Sequence, residues 1–230
     1  MSTSLLQGQV IEIIVGSGSK HESFFIHSKL VQQYSEYFAG ALRSNFIEAH
    51  TQRIHLEDEE TTVFARVYHW FYSGSVQSQK ELKLACTQIQ LAKMWVFGDR
   101  RGMPALQNAV LSALHENICE TWTMFDEDLV SGIFEQSPPS SRARDLIVEH
   151  YVLSCSPQRL AECFDSLSGN SKGFAEACAK KAVQRLRDGQ AQLNEDAFRQ
   201  VDPCCYHEHE DGKDCKSLEQ EDERFRSDHV

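Results

Sequence analysis

The rhythm of apolar and polar positions changes twice along the chain. Val10-Ile11-Glu12-Ile13-Ile14-Val15 is a β-branched run that predicts a mostly buried strand. Gly16-Ser17-Gly18-Ser19 supplies turn residues, and Ser23 to His27 predicts a second strand, so the chain opens on a hairpin. From His27 to Tyr34 the pattern becomes helical. Ser35 is placed to cap a helix with Tyr37, Phe38, Ala41 and Leu42 on one face. Gln52 to Leu56 alternates and predicts a third short strand. Asp58 is placed to cap the next helix, with Glu59 and Glu60 in a first turn that the helix dipole favours. Val63, Phe64, Val67, Trp70 and Phe71 form its apolar stripe, and Ser73-Gly74-Ser75 stops it.

From Glu81 to about Gly189 the period is helical throughout. One stripe runs through Leu82, Ala85, Ile89, Ala92, Trp95 and Val96. Gly98 and Gly102 read as breaks, and Pro104 suits the first turn of a helix carrying Leu106, Ala109, Val110, Ala113 and Leu114. Pro138-Pro139-Ser140-Ser141 reads as linker punctuation. Helices are expected over Ala143–Leu153, Gln158–Leu167 and Gly173–Arg187. Strands with interleaved helices come first and helices alone follow, which predicts an α+β unit with an all-α extension.

Composition narrows the class. With 230 residues, 41% of them hydrophobic, the chain is long and apolar enough for one or two globular domains. The net charge of −11 argues against a general nucleic-acid binder, which needs clustered Lys and Arg. No stretch approaches the ~20 apolar residues of a membrane span, and Met1 to Gln9 has no signal-peptide pattern. The eight cysteines are too sparse for a disulfide scaffold. They are expected to be reduced thiols in an intracellular protein, cytoplasmic or nuclear. Cys86, Cys119, Cys155, Cys163 and Cys178 read as buried small hydrophobes. Lys180, Lys181, Arg185 and Arg187 read as a solvated basic face. Residues 201–230 carry over half of the net charge, and the chain from Lys216 onward reads as a solvated extension. No nucleotide-binding, metalloprotease or hydrolase motif occurs.

The first hundred residues resemble a BTB/POZ domain. The resemblance rests on Val10-Ile11-Glu12-Ile13-Ile14-Val15-Gly16, Phe24-Phe25-Ile26-His27-Ser28-Lys29-Leu30, Ser35-Glu36-Tyr37-Phe38, Phe46-Ile47-Glu48, Ile54-His55-Leu56 and Trp70-Phe71-Tyr72-Ser73-Gly74, in the family's order. Ser28 stands where the family usually has Lys, and the Asp that many animal members carry before the first strand is missing. Residues 82–114 are similar to the closing helices of fungal-type members. The resemblance implies a BTB/POZ domain at 8–115 after an N-terminal segment at 1–7; the helical period predicts an extension at 116–190, and charge an acidic tail at 191–230.

It also implies a protein–protein interaction module, an adaptor or scaffold, rather than an enzyme. Phe46-Ile47-Glu48 is similar to the element by which some members contact a cullin ubiquitin-ligase scaffold, which makes Phe46 and Glu48 candidate partner-binding residues. The plain alternative packs Phe46 inside and leaves Glu48 merely solvated. Homodimerisation through the first strand and helix is a further family expectation. So is a dimerising or corepressor-recruiting role in transcription, although no DNA-binding module is visible.

The most chemical feature is Cys204-Cys205-Tyr206-His207-Glu208-His209 with Cys215. In an extended segment Cys205, His207 and His209 share one face, and Gly212 lets Cys215 return. Two thiolates and two imidazoles suit one structural zinc ion. The run also resembles a C-x-Y-H-x-H…C pattern near the end of fungal-type BTB proteins, which puts Cys204 in the first ligand position. Alternation and resemblance disagree, and the choice between Cys204 and Cys205 stays open at this point. Such a zinc knot would span 204–215 and pin the tail.

Overall fold

The computed structural model describes residues 3–43, 46–76, 86–167, 173–189, 195–209 and 215. Strands β1 (Val10–Val15) and β2 (Glu22–His27) form the expected antiparallel hairpin, with Ile13 opposite Phe24. The turn between them depends on Gly16, whose φ is 89° and where a Cβ would lie 2.9 Å from the Lys20 carbonyl oxygen. Strand β3 (Arg53–Leu56) lies parallel to β1 on its other side, with Ile54 beside Ile13, giving the order β2-β1-β3. Strand β1 is buried on one face only, which corrects the sequence expectation. Ile11, Ile13 and Val15 are buried, Val10 is 45% exposed, and Glu12 on the open face pairs with Arg53 at 2.8 Å. A three-stranded sheet with helices against one face leaves the other face to water.

Helices α1 (Ser28–Tyr34) and α2 (Glu36–Ala41) follow the hairpin. Buried Ser35 caps α2 as expected. Its hydroxyl oxygen accepts from the Phe38 N–H at 3.2 Å and donates to the Arg101 carbonyl at 2.7 Å. Of the expected α2 face only Phe38 is buried, while Tyr37 lies under the Arg101 guanidinium, 4.5 Å away. A short helix α3 (Ile47–Thr51), which the sequence pattern does not announce, precedes β3. Helix α4 (Thr61–Ser73) starts later than predicted: its N-cap is Glu60, not Asp58. Glu59 and Glu60 therefore sit outside the first turn. They pair instead with cations on and just past the next helix, Glu59 with Arg101 at 3.0 Å and Glu60 with Lys93 at 2.6 Å.

Helix α5 (Gln88–Arg100) opens on a Thr87/Gln90 capping box. Leu82 and Ala85 of its predicted stripe lie outside the described residues. Gly98 does not break the chain. It lies inside α5, where a Cβ would come within 3.1 Å of the Gln107 side chain, so the glycine lets α5 approach α6 (Pro104–Thr121). The helices continue with α7 (Glu127–Gln136), α8 (Arg142–Ser154), α9 (Pro157–Leu167), α10 (Phe174–Arg187) and α11 (Glu195–Arg199). The Pro138-Pro139 segment is a tight turn between α7 and α8 rather than a loose linker. Ser141 caps α8, and Arg144 bonds back to Phe134 and Ser137.

One apolar interior runs through the whole described chain, from Ile11 and Phe64 through Trp95, Ile118 and Ile133 to Phe174, Phe198 and Tyr206. Cys155 and Cys178 belong to it, but Cys86, Cys119 and Cys163 are only half-buried, contrary to expectation. Arg185 is buried too, so the predicted basic face is interrupted. Among the described residues no helix is long and apolar enough to cross a membrane. The fold is α+β: a small sheet under helices, then helices alone.

Candidate functional site

Phe46 is the N-cap of α3, with extended backbone at φ −104° and ψ 153°. Its N–H donates to the Arg43 carbonyl at 3.2 Å, and its carbonyl accepts from the Ala49 N–H at 3.2 Å. The backbone is held while the side chain points out: Phe46 is 54% exposed and Ile47 72%. Glu48 is half-buried in the first turn of α3. An anchored backbone presenting two apolar side chains is a surface that a partner can cover, not part of the interior. The motif pointed to Phe46 and Glu48; Ile47, its unspecified middle position, is the more exposed of the apolar pair.

The second site lies where the tail returns. Cys204, His207, His209 and Cys215 each offer one ligand atom, all within 4.8 Å of one another. His207 Nδ1 lies 3.0 Å from Cys215 Sγ, and His209 Nε2 lies 3.3 Å from Cys204 Sγ and 3.4 Å from Cys215 Sγ. Zinc bonds of about 2.3 Å to sulfur and about 2.0 Å to nitrogen, at the tetrahedral angle, put N and S about 3.5 Å apart. The donor set therefore fits a tetrahedral ion with little movement. Its four positions would all be filled by protein, the closed arrangement of a structural site.

Cys205 is not in this set; it faces solvent. Alternation along an extended strand fails here because residues Pro203–Tyr206 form a 3-10 turn. The turn closes with the His207 N–H donating to the Cys204 carbonyl at 3.0 Å, which brings Cys204 and His207 to the same side. The turn is set locally, with Asp202 accepting from the Cys204 N–H at 2.9 Å and Pro203 in the first position. Gly212 lies outside the described residues.

Two helices receive the tail. On α6, the Ser112 hydroxyl lies 2.9 Å from His207 Nε2, and the Asn108 side chain pairs with the Glu208 backbone. On α8, Glu149 accepts from the Tyr206 hydroxyl at 3.2 Å and pairs with Lys181 of α10 at 3.4 Å. Phe198 is fully buried and stacks on His115, with centroids 4.9 Å apart. Burial, reinforced by the neighbouring His209, lowers the His207 pKa from its ordinary value, which favours the neutral imidazole that a metal requires. Sequence reasoning missed Phe198 and Tyr206 as buried anchors, and Asn108 and Ser112 as the α6 groups that meet Glu208 and His207.

A cleft of about 230 Å³ opens between the start of α4, α5 and α7. Four of the charged groups lining it are engaged with one another, Glu60 with Lys93 and Glu59 with Arg100. Among the described residues, no other group of three or more His, Cys, Asp or Glu side chains converges as the tail cluster does.

The family profile described as BTB/POZ domain matches residues 1–117, ending in the last turns of α6. A search of curated proteins finds no match. With the hairpin, the parallel third strand and the closing helices in place over the matched half of its length, the chain belongs to the BTB/POZ domain family.

Proposed function

We propose that the chain is a non-catalytic adaptor that docks a cullin scaffold through Phe46, Ile47 and Glu48 and so brings other proteins to a ubiquitin ligase. A BTB/POZ domain is a protein–protein interaction module, and the observation that carries the sharper reading is the outward pose of Phe46 and Ile47 on a fixed backbone. Apolar side chains of this kind fill partner pockets, and a carboxylate beside them pairs at the rim. Phe46→Ala with Glu48→Lys is expected to abolish co-precipitation of a cullin N-terminal domain. Because surface positions away from the core usually change stability by less than about 0.5 kcal/mol each, the urea midpoint should move little. Capture of chromatin corepressors by a wild type that takes no cullin would replace this reading with the transcriptional one.

In the same reading, Cys204, His207, His209 and Cys215 hold one structural zinc ion that ties the tail to α6 and α8. Bound zinc would supply folding free energy to a segment with few apolar anchors of its own. Elemental analysis of the purified chain is expected to find about one zinc per chain, and Cys215→Ser with His209→Ala to reduce it to background. Background metal in both proteins would reject the site.

A further inference from the structure

We infer that α6 of the BTB/POZ domain builds the outer half of the tail metal centre, with Asn108 and Ser112 as positioning residues, so that metal uptake and docking of the tail are one equilibrium. The inference rests on the metal reading given above. Asn108 and Ser112 are four residues apart and therefore share one face of α6. The opposite face carries Leu106, Val110, Ala113 and Leu114 into the core. Both polar side chains are half-buried, and both point at the tail.

The two do different work. Asn108 Nδ2 donates to the Glu208 carbonyl at 2.9 Å, and Asn108 Oδ1 accepts from the Glu208 N–H at 2.9 Å. Both backbone groups of the residue between the two histidines are thus held by one side chain. That sets the angle at which His207 and His209 converge. Ser112 acts on the ring itself. Its hydroxyl occupies His207 Nε2, which leaves Nδ1 as the atom facing Cys215 Sγ. With the proton on Nε2 donated to Ser112 Oγ, the tautomer that presents a lone pair at Nδ1 is the one selected. Ligands from the tail and orienting groups from α6 complete one site, so neither the docked tail nor the formed site is stable without the other.

The test is a competition titration of the full chain against a chromophoric zinc chelator. Asn108→Ala and Ser112→Ala are each expected to weaken zinc binding about 10–100-fold with all four ligands intact. Ser112→Thr, which keeps the hydroxyl, should stay within about three-fold of the wild type. The urea midpoint of the metal-free chain should be the same in all of them, which separates loss of positioning from loss of fold. Alanine variants that bind zinc as tightly as the wild type, or a threonine variant as weak as the alanine one, would overturn the inference. A wild type indistinguishable from Cys215→Ser in the same titration would overturn the metal reading beneath it.

Discussion

Phe64→Ala is expected to cost about 3–5 kcal/mol of stability, the range for truncating a buried phenylalanine. Phe64 is fully buried on α4. Its ring meets Phe24 of β2 edge-on at 4.9 Å and Phe97 of α5 at 5.8 Å. One side chain thus ties the sheet to two helices, and each aromatic pair adds about 0.5–1.5 kcal/mol beyond the area it buries. Set against a total of about 5–15 kcal/mol for a native domain, the loss should move the urea midpoint far. The same measurement on Phe46→Ala should show almost no change. Two phenylalanines eighteen positions apart thus stand in opposite settings, one buried in the interior and one exposed at the start of α3. A Phe64→Ala midpoint near that of the wild type would mean that the aromatic interior does not hold the fold.

Acid should destabilise the protein through His150, and His150→Phe should remove that part of the effect. His150 lies on α8 with no exposed surface, and among the described residues neither ring nitrogen has a hydrogen-bond partner. Trp122, Phe125 and Phe198 surround it at 5.6, 5.2 and 5.6 Å between centroids. Burial lowers its pKa from 6.5 to about 4. Between those values the unfolded chain takes up a proton that the folded chain refuses. The contribution is therefore intact above about pH 6.5 and is lost as pH falls toward 4, about 3 kcal/mol in all at about 1.4 kcal/mol per pH unit. His115 on α6 is also held below its ordinary value by burial and adds to the slope in the same direction. Unfolding of the wild type and of His150→Phe between pH 7 and pH 4 isolates the His150 share. The variant should also be the more stable protein at pH 7, since it removes two unpaired buried nitrogens. Parallel pH curves for the two proteins would contradict the assignment.

The parts of this fold that local pattern reveals are those whose burial repeats within one element. Strands β1 and β2 and helices α8 to α10 are of this kind, and their observed ends lie within a residue or so of the predicted ones. Where distant partners decide, local reading fails. The start of α4 moved because Glu59 and Glu60 pair with cations more than thirty residues away. Gly98 looks like a helix end but is a close approach between two helices. Phe198 and Tyr206 are isolated apolar residues in acidic surroundings, buried only because α6 and α8 form a slot for them. His207, His209 and Cys215 were legible as three members of one donor set, with Cys204 and Cys205 as rival candidates for the fourth. Which cysteine belongs to it depends on the 3-10 turn that Asp202-Pro203 begins, and that pair was itself a readable signal.

In the proposed reading this BTB/POZ chain works by presenting Phe46 and Ile47 at the start of α3 to another protein while its interior holds them in place. A calorimetric titration of the purified chain with a purified cullin N-terminal domain tests it most directly. Saturable one-to-one binding by the wild type, with no heat from the equally stable Phe46→Ala/Glu48→Lys variant, is the predicted result. A folded wild type that gives no heat, or a double variant that binds as tightly as the wild type, would contradict it.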